Sequence, residues 1–142
     1  MLRVVVDTNL LVSGFISSRS YPREIEGRWR RGEFILITSP GIIEEISRVL
    51  RRPRIPQNYH ITELDIQAFT LALNHQAYSV AGKLDLHGIA PDPGDDKVIS
   101  CAVEARADCI VTGDKRLQQV GEYQGIKIID AESFIELLKE NT

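Results

Sequence analysis

The segment "PDPGDDKVIS", residues 91–100, puts Asp92, Asp95 and Asp96 within five consecutive positions, directly ahead of helical apolar spacing at Val98, Ile99, Ala102 and Val103. Like charges at that density repel one another, so water, the positive end of a helix or a bound cation must offset them. Three further acids stand at comparable junctions. Asp7 closes the apolar run "LRVVVD" (2–7), and Asp114 follows the apolar run "CIVT". Glu45 borders the helical stripe of Ile42, Ile43, Ile46, Val49 and Leu50, so it can face the sheet, although Glu44 beside it has the same chemistry. Grouped carboxylates are hard oxygen ligands suited to Mg²⁺ or Mn²⁺.

Each acid also has a plainer use. Asp7 can cap a helix starting near Asn9. Asp95 and Asp96 gain from a helix N-terminus without any metal. Asp114 sits in "TGDK", which is good turn chemistry. Glu45 alone would be a solvated helix residue. What favours a common site is position, and position depends on the elements that carry these residues.

Those elements alternate from end to end. Strands are expected at 2–7, 34–39, 77–82, 109–114 and 126–130. The first is a continuous β-branched run, as in a strand buried on both faces. Helices are expected at 9–16, 22–32 (ended by Gly32), 40–52, 62–76, 95–107 and 131–140. Ser39 with Pro40, and Thr62 with Asp65, carry N-terminal capping signals. The alternation implies an α/β three-layer sandwich around a mostly parallel sheet of about five strands. Functional groups in such sheets collect beyond the carboxyl ends of the strands. Asp7, Asp95 and Asp114 all fall at that edge, and Glu45 reaches it from its helix.

At 142 residues, 43% hydrophobic and 26% charged, the chain reads as one soluble domain, 1–142. The net charge of −3 does not advertise a nucleic-acid partner. Two local basic clusters exist: Arg28, Arg30 and Arg31 around Trp29, and Arg48, Arg51, Arg52 and Arg54. The second continues the helix of Glu45, so Arg51 and Arg52 are candidates to steer phosphates, as are Lys115 and Arg116 beside Asp114. Trp29 reads as a packing residue rather than a base-stacking platform. Cys101 and Cys109 lack metal-type spacing and read as reduced, buried thiols. His60, His75 and His87 are scattered and offer no zinc site. Neither a signal peptide nor a membrane-spanning run is expected, so a cytoplasmic location is.

The stretches "VVVDTNLLVSG", "SPGIIEEISRVL", "DPGDDKVISCAVEARADCIVTGDKRL" and "IKIIDAESFIELL" together resemble the PIN domain, a Rossmann-like fold, and within it the toxin components of toxin–antitoxin systems. The resemblance covers 2–138, with the motifs in the expected order. It implies a metal-dependent endoribonuclease using Mg²⁺ or Mn²⁺, with Asp7, Glu45, Asp95 and Asp114 as the four acids. Asp95 completes the D-P-x-D pattern begun by Asp92, and Asp96 is the reserve. Thr8, Asn9, Ser39 and Thr112 fall on positions that support the site in relatives. Asp7 and Asp95 are the expected direct ligands. The resemblance further implies 5′-phosphate and 3′-hydroxyl products, a cognate antitoxin protein and a homodimer. In a two-metal hydrolysis, cations roughly 3.5–4 Å apart hold the attacking water and the leaving oxygen in line.

Other classes fit less well. A nucleotide-binding module would show G-x-G-x-x-G after the first strand or G-x-x-x-x-G-K-[ST], and neither is present. A phosphatase of the haloacid-dehalogenase type would want an Asp at Asn9. A non-catalytic PIN-like module that binds RNA or protein is the alternative, but its usual mark, a missing acid, is absent here.

Overall fold

The computed structural model describes every residue except Ser18, Asp85, Asp92 and Thr142, and the side chain of Pro93. The Asp92 position of the D-P-x-D pattern therefore lies outside the described residues. The fold is α/β, with a six-stranded sheet in the order β3-β2-β1-β4-β6-β5. The central strands are β1 (Arg3–Val6), β2 (Ile35–Thr38), β4 (Cys109–Val111) and β6 (Ile126–Ile129), all parallel. Val4, Val5 and Val6 of β1 are buried, as expected of a strand covered on both faces. They sit opposite Leu36 and Ile37 on one side and Cys109, Ile110 and Val111 on the other.

The edges are short. β3 (Tyr78–Ser79) pairs parallel with β2 and is briefer than the predicted 77–82. β5 (Glu122–Tyr123) was not expected from sequence and corrects the strand count from five to six. It pairs antiparallel with β6 through a tight turn in which Gln124 and Gly125 both take positive φ, 51° and 82°. That is the signature of a two-residue hairpin.

Eight helices were found among the described residues. α1 (Thr8–Ile16) and α2 (Tyr21–Arg30) follow β1, and α3 (Pro40–Leu50), α4 (Arg54–Tyr59) and α5 (Glu63–Gln76) follow β2. α6 (Asp96–Ala105) lies between β3 and β4, α7 (Lys115–Val120) between β4 and β5, and α8 (Ala131–Glu140) closes the chain. α1 packs on α2 and α3, α3 on α5, and α6 lies against β1, β2 and β4. α8 returns to pack on α2. α1 and α2 come so close that a Cβ on Gly14 would stand 2.7 Å from the Pro22 carbonyl oxygen. Ser39 and Thr62 cap α3 and α5 through their side chains, the latter in a full capping box with Asp65.

The core is continuous from Val5 and Ile110 in the sheet to Phe69, Ile46 and Phe134 on the helices. Cys101 and Cys109 are buried in it, and burial pushes both thiols up to about 12. Among the described residues, no helix is long and apolar enough to cross a membrane.

Candidate active site

Asp7 is the first residue past β1, and only 5% of it is exposed. Its N–H donates to the Val111 carbonyl at 2.9 Å, which carries the β1–β4 pairing one residue beyond the strand. Its side chain meets no full capping geometry on α1, although the Asn9 backbone N–H lies near enough to favour its charged form. Thr112 Oγ1 donates to Asp7 Oδ2 at 2.7 Å. Burial pushes the Asp7 carboxyl above its ordinary value of 3.8. The Thr112 hydroxyl and the Asn9 amide pull the other way, and the charges of Glu45 and Asp114 add to the rise.

Thr112 is the joint of this corner. It is fully buried just past β4, and its hydroxyl also accepts the Asp114 N–H at 3.1 Å. Its own N–H donates to the Ile129 carbonyl, and its carbonyl accepts Gln118 Nε2 at 2.7 Å. The plainer use of Asp114, as a turn residue, takes the form of the N-cap of α7, with Oδ1 accepting the Arg116 N–H at 2.9 Å. Its other oxygen is not used in that cap, so capping and cleft lining are compatible. Thr38, last in β2, is fully buried with its hydroxyl unpartnered.

Asp95 and Asp96 part company at the start of α6. Asp95 closes a 3-10 turn (Pro93–Asp95) and holds the N-cap position of α6 without a side-chain cap bond. Asp96 is buried and turned to the preceding chain, accepting N–H groups from Gly88, Ile89 and Ala90 at 3.0, 3.1 and 2.7 Å. The Ala90 N–H foremost, then those of Gly88 and Ile89, hold its carboxyl below the ordinary value, against an opposing effect of desolvation. Ser100 and Glu104, one and two turns further along α6, accept the Leu86 and Leu84 N–H groups in the same way.

Asp7, Asp95 and Asp114 line one cleft of about 440 Å³ together with Asn9, Leu10, Ser13 and Gly113. A hollow of about 550 Å³, lined by Ile16, Pro22 and Tyr59, shares Ser13 with it, and another of about 530 Å³ lies beside Trp29 and Tyr78. Neither is lined by an acid, so size alone does not identify the site.

Glu45 is half-buried and outside the residues that line this cleft, yet near enough for its charge to act on Asp7. Its Oε2 lies 2.9 Å from Lys97 Nζ and accepts Thr8 Oγ1 at 3.3 Å. Lys97 was missed in the sequence, where it reads as one more charge after "DD". Ser39 is buried and spends its hydroxyl on the Ile42 N–H. Arg51 is held by Glu63 and Ser47, and Arg116 lies 3.8 Å from Asp114. Arg52 and Lys115 are exposed. Arg28, Arg30 and Arg31 are tied to Glu24, Glu26 and Glu33, and Trp29 is buried beneath Arg30.

Among the described residues, no three Asp, Glu, His or Cys groups stand close enough together to hold a metal ion as they are. The donor chemistry nevertheless fits a hard divalent cation, since the cleft offers carboxylate oxygens and neither sulfur nor imidazole. The unfavourable charge at Asp7, set by burial and by two neighbouring carboxylates, is of the kind such a cation offsets.

An α/β sheet with an acidic cleft beyond its carboxyl edge is thus the class of protein these features define. The PIN domain model matches residues 3–116, and the chain belongs to the PIN domain family. PIN domains are in general nucleases that use divalent metal ions and bind RNA. The chain is also similar to the uncharacterized protein MJ1680 of Methanocaldococcus jannaschii, at 28% identity over 116 residues, which span 82% of this chain and 73% of that protein.

Proposed function

We propose that the chain, as one PIN domain over 1–142, is an Mg²⁺- or Mn²⁺-dependent endoribonuclease and the toxin of a toxin–antitoxin pair. The observation that carries the nuclease reading is the cleft shared by Asp7, Asp95 and Asp114, three carboxylates from three distant parts of the chain. Asp7 and Asp95 are the direct ligands in this reading, Asp114 is a further ligand, and Asp96 serves the fold. Glu45 would be the fourth acid of a two-metal site, supplying a further hard oxygen ligand. When bound, the ions supply charge that offsets the carboxylates and the developing charge on the phosphodiester. The chain's own part is positional. Thr112 holds Asp7 and the Asp114 backbone in one corner, and Thr8 holds Glu45. Arg52, Lys115 and Arg116 are the cations offered to RNA phosphates; Arg51 serves only when released from Glu63. The cytoplasm, a homodimer and a cognate antitoxin that covers the cleft belong to the same reading.

A second reading, a non-catalytic module that binds RNA or protein, is favoured by one observation: the acids do not stand as a ready metal cage among the described residues. Incubating the purified chain with single-stranded RNA separates the two. The nuclease reading expects cleavage with Mg²⁺ or Mn²⁺, abolished by EDTA and by Asp7→Asn. Binding without cleavage under all these conditions selects the second. Copurification of a small partner that silences cleavage tests the toxin assignment.

A further inference from the structure

The hollow that shares Ser13 with the cleft has the composition of a site for a flat ligand with polar edges. Ser13, Ile16, Ser17, Ser20, Pro22 and Tyr59 line its 550 Å³ or so. Ile16 and Pro22 supply apolar surface, the serines supply hydroxyls, and Tyr59 supplies an aromatic ring. Tyr59 ends α4 and is 50% exposed. His60 caps that helix in the left-handed region, φ 54°, and the N–H groups of His60 and Ile61 both donate to the Pro56 carbonyl. This closed turn holds the backbone at Tyr59 while the ring stays open to water. The wall formed by α1 and α2 is equally firm, since the two helices meet at Gly14 and Pro22 with no room for a Cβ between them. Ser17 Oγ donates to the Arg19 carbonyl at 3.2 Å, and Ser20 Oγ accepts the Arg23 N–H at 3.1 Å. Ser17 thus keeps lone pairs to accept with, and Ser20 keeps a proton to donate.

The surroundings point to a nucleobase. Ser13 lines both spaces, so a strand running along the cleft passes directly into the hollow. No acid lines the hollow, and Arg19, Arg52 and Arg54, close to its lining residues in sequence, are exposed. The single tryptophan, Trp29, is only 5% exposed and cannot offer a face to a base, whereas Tyr59 can. We propose that this hollow takes one unpaired nucleobase of the RNA strand, stacked on Tyr59, beside the cleft. This rests on the reading of the cleft as the place where RNA is cut. A base in a duplex has its faces covered by its neighbours, so the hollow selects single strands. Every base has a π-face, so Tyr59 does not itself choose among the four. Arg19, Arg52 and Arg54 serve the flanking phosphates.

Fluorescence anisotropy of the full chain with a labelled single-stranded oligouridylate in EDTA reads binding without cleavage, and the same oligomer in Mn²⁺ reads cleavage. Tyr59→Ala and Tyr59→Leu should both weaken binding, by between roughly fivefold and a hundredfold, the range spanned by loss of one base–aromatic stack. Tyr59→Phe, which keeps the ring, should stay within about twofold of wild type. Leucine keeps apolar bulk, so a loss shared by Ala and Leu separates a stacking face from mere packing. A ribose–phosphate chain without bases should bind wild type and Tyr59→Leu equally. In Mn²⁺ the loss should appear in KM rather than kcat. Melting curves confirm that each variant is folded. Tyr59→Leu binding oligouridylate as wild type does, or losing as much affinity for the base-free chain, overturns the proposal and leaves the nuclease reading standing. Tyr59-dependent binding with no cleavage in Mn²⁺ overturns the nuclease reading and keeps the base site. No RNA bound by wild type in either buffer overturns both.

Discussion

The corner around Thr112 and the stretch around Asp96 both bring a carboxylate to the same edge of the sheet, but by opposite means. At Thr112 the backbone does the placing. Asp7 and Thr112 each continue a strand by one residue, so sheet register fixes their distance before any side chain is considered. At Asp96 the side chains do the placing. Leu84, Leu86 and 88–90 lie in no strand or helix, and Asp96, Ser100 and Glu104 hold them through their N–H groups. The first corner uses polar groups to aim a buried carboxylate. The second uses a carboxylate to satisfy a loop, while its neighbour Asp95 lines the cleft. Two adjacent aspartates with one chemistry thus have different work because their partners differ.

Four perturbations probe that contrast. The largest effect is expected from Thr112→Val, which keeps the shape but removes the hydroxyl from a fully buried position. Asp7 loses its donor and the Asp114 N–H its acceptor, so a loss of about 1–3 kcal/mol is expected in denaturant unfolding. RNA cleavage should fall as well, by roughly tenfold or more, because both acids lose their aim. Unchanged stability would show that the corner is held by backbone alone.

The two carboxylates should also push stability in opposite directions with pH. Asp7 has a raised pKa in the fold, so the native state holds its proton where the unfolded chain has lost it. Metal-free protein should therefore lose stability as pH rises from about 4 through the folded value of Asp7, and Asp7→Asn should remove that loss. Asp96 has a lowered pKa, so its contribution is present above its ordinary value of 3.8 and is lost as pH falls below it; Asp96→Asn should remove that acid sensitivity. Melting curves in EDTA across pH 3–7 would show both, and matching slopes in the two variants would contradict the contrast.

Ser100→Ala tests the ladder without touching a charge. It orphans the Leu86 N–H, at a cost of about 1 kcal/mol, and should raise hydrogen exchange in 84–90 while leaving β1 and β4 unchanged. The smallest effect belongs to the arginines. Arg52→Ala should weaken RNA binding a few-fold and lower the salt slope by about one. Arg51→Ala should do less to binding, since Glu63 holds that side chain.

The same contrast explains what could be read from the sequence. The buried strands announce themselves by runs such as "VVV", and α3 and α5 by caps that the structure reproduces. Register then follows, and with it the meeting of Asp7, Asp95 and Asp114 beyond the strand ends. What escaped depended on single contacts or on very short elements. Two-residue β5 has no period to detect, although "QG" ahead of β6 was a usable hairpin signal. α4 and α7 have six residues each, too few to show amphipathic spacing. The pairing of Glu45 with Lys97 joins positions 52 residues apart, and neither residue type nor local pattern specifies which of several lysines would come. Asp96 looked like a spare ligand because its backbone partners lie in a segment with no sequence signature of a loop clamp.

The most direct test of the account compares Asp95→Asn with Asp96→Asn in one experiment, measuring melting temperature with and without Mn²⁺ alongside RNA cleavage. Asp95→Asn should melt like wild type in EDTA, lose most of the Mn²⁺-induced rise and lose cleavage by at least about a hundredfold. Asp96→Asn should melt lower in EDTA yet keep the Mn²⁺-induced rise and most of its cleavage. The reverse pattern, with Asp96→Asn silent towards Mn²⁺ and Asp95→Asn still active, would contradict the division of labour between these neighbours and the site built on it.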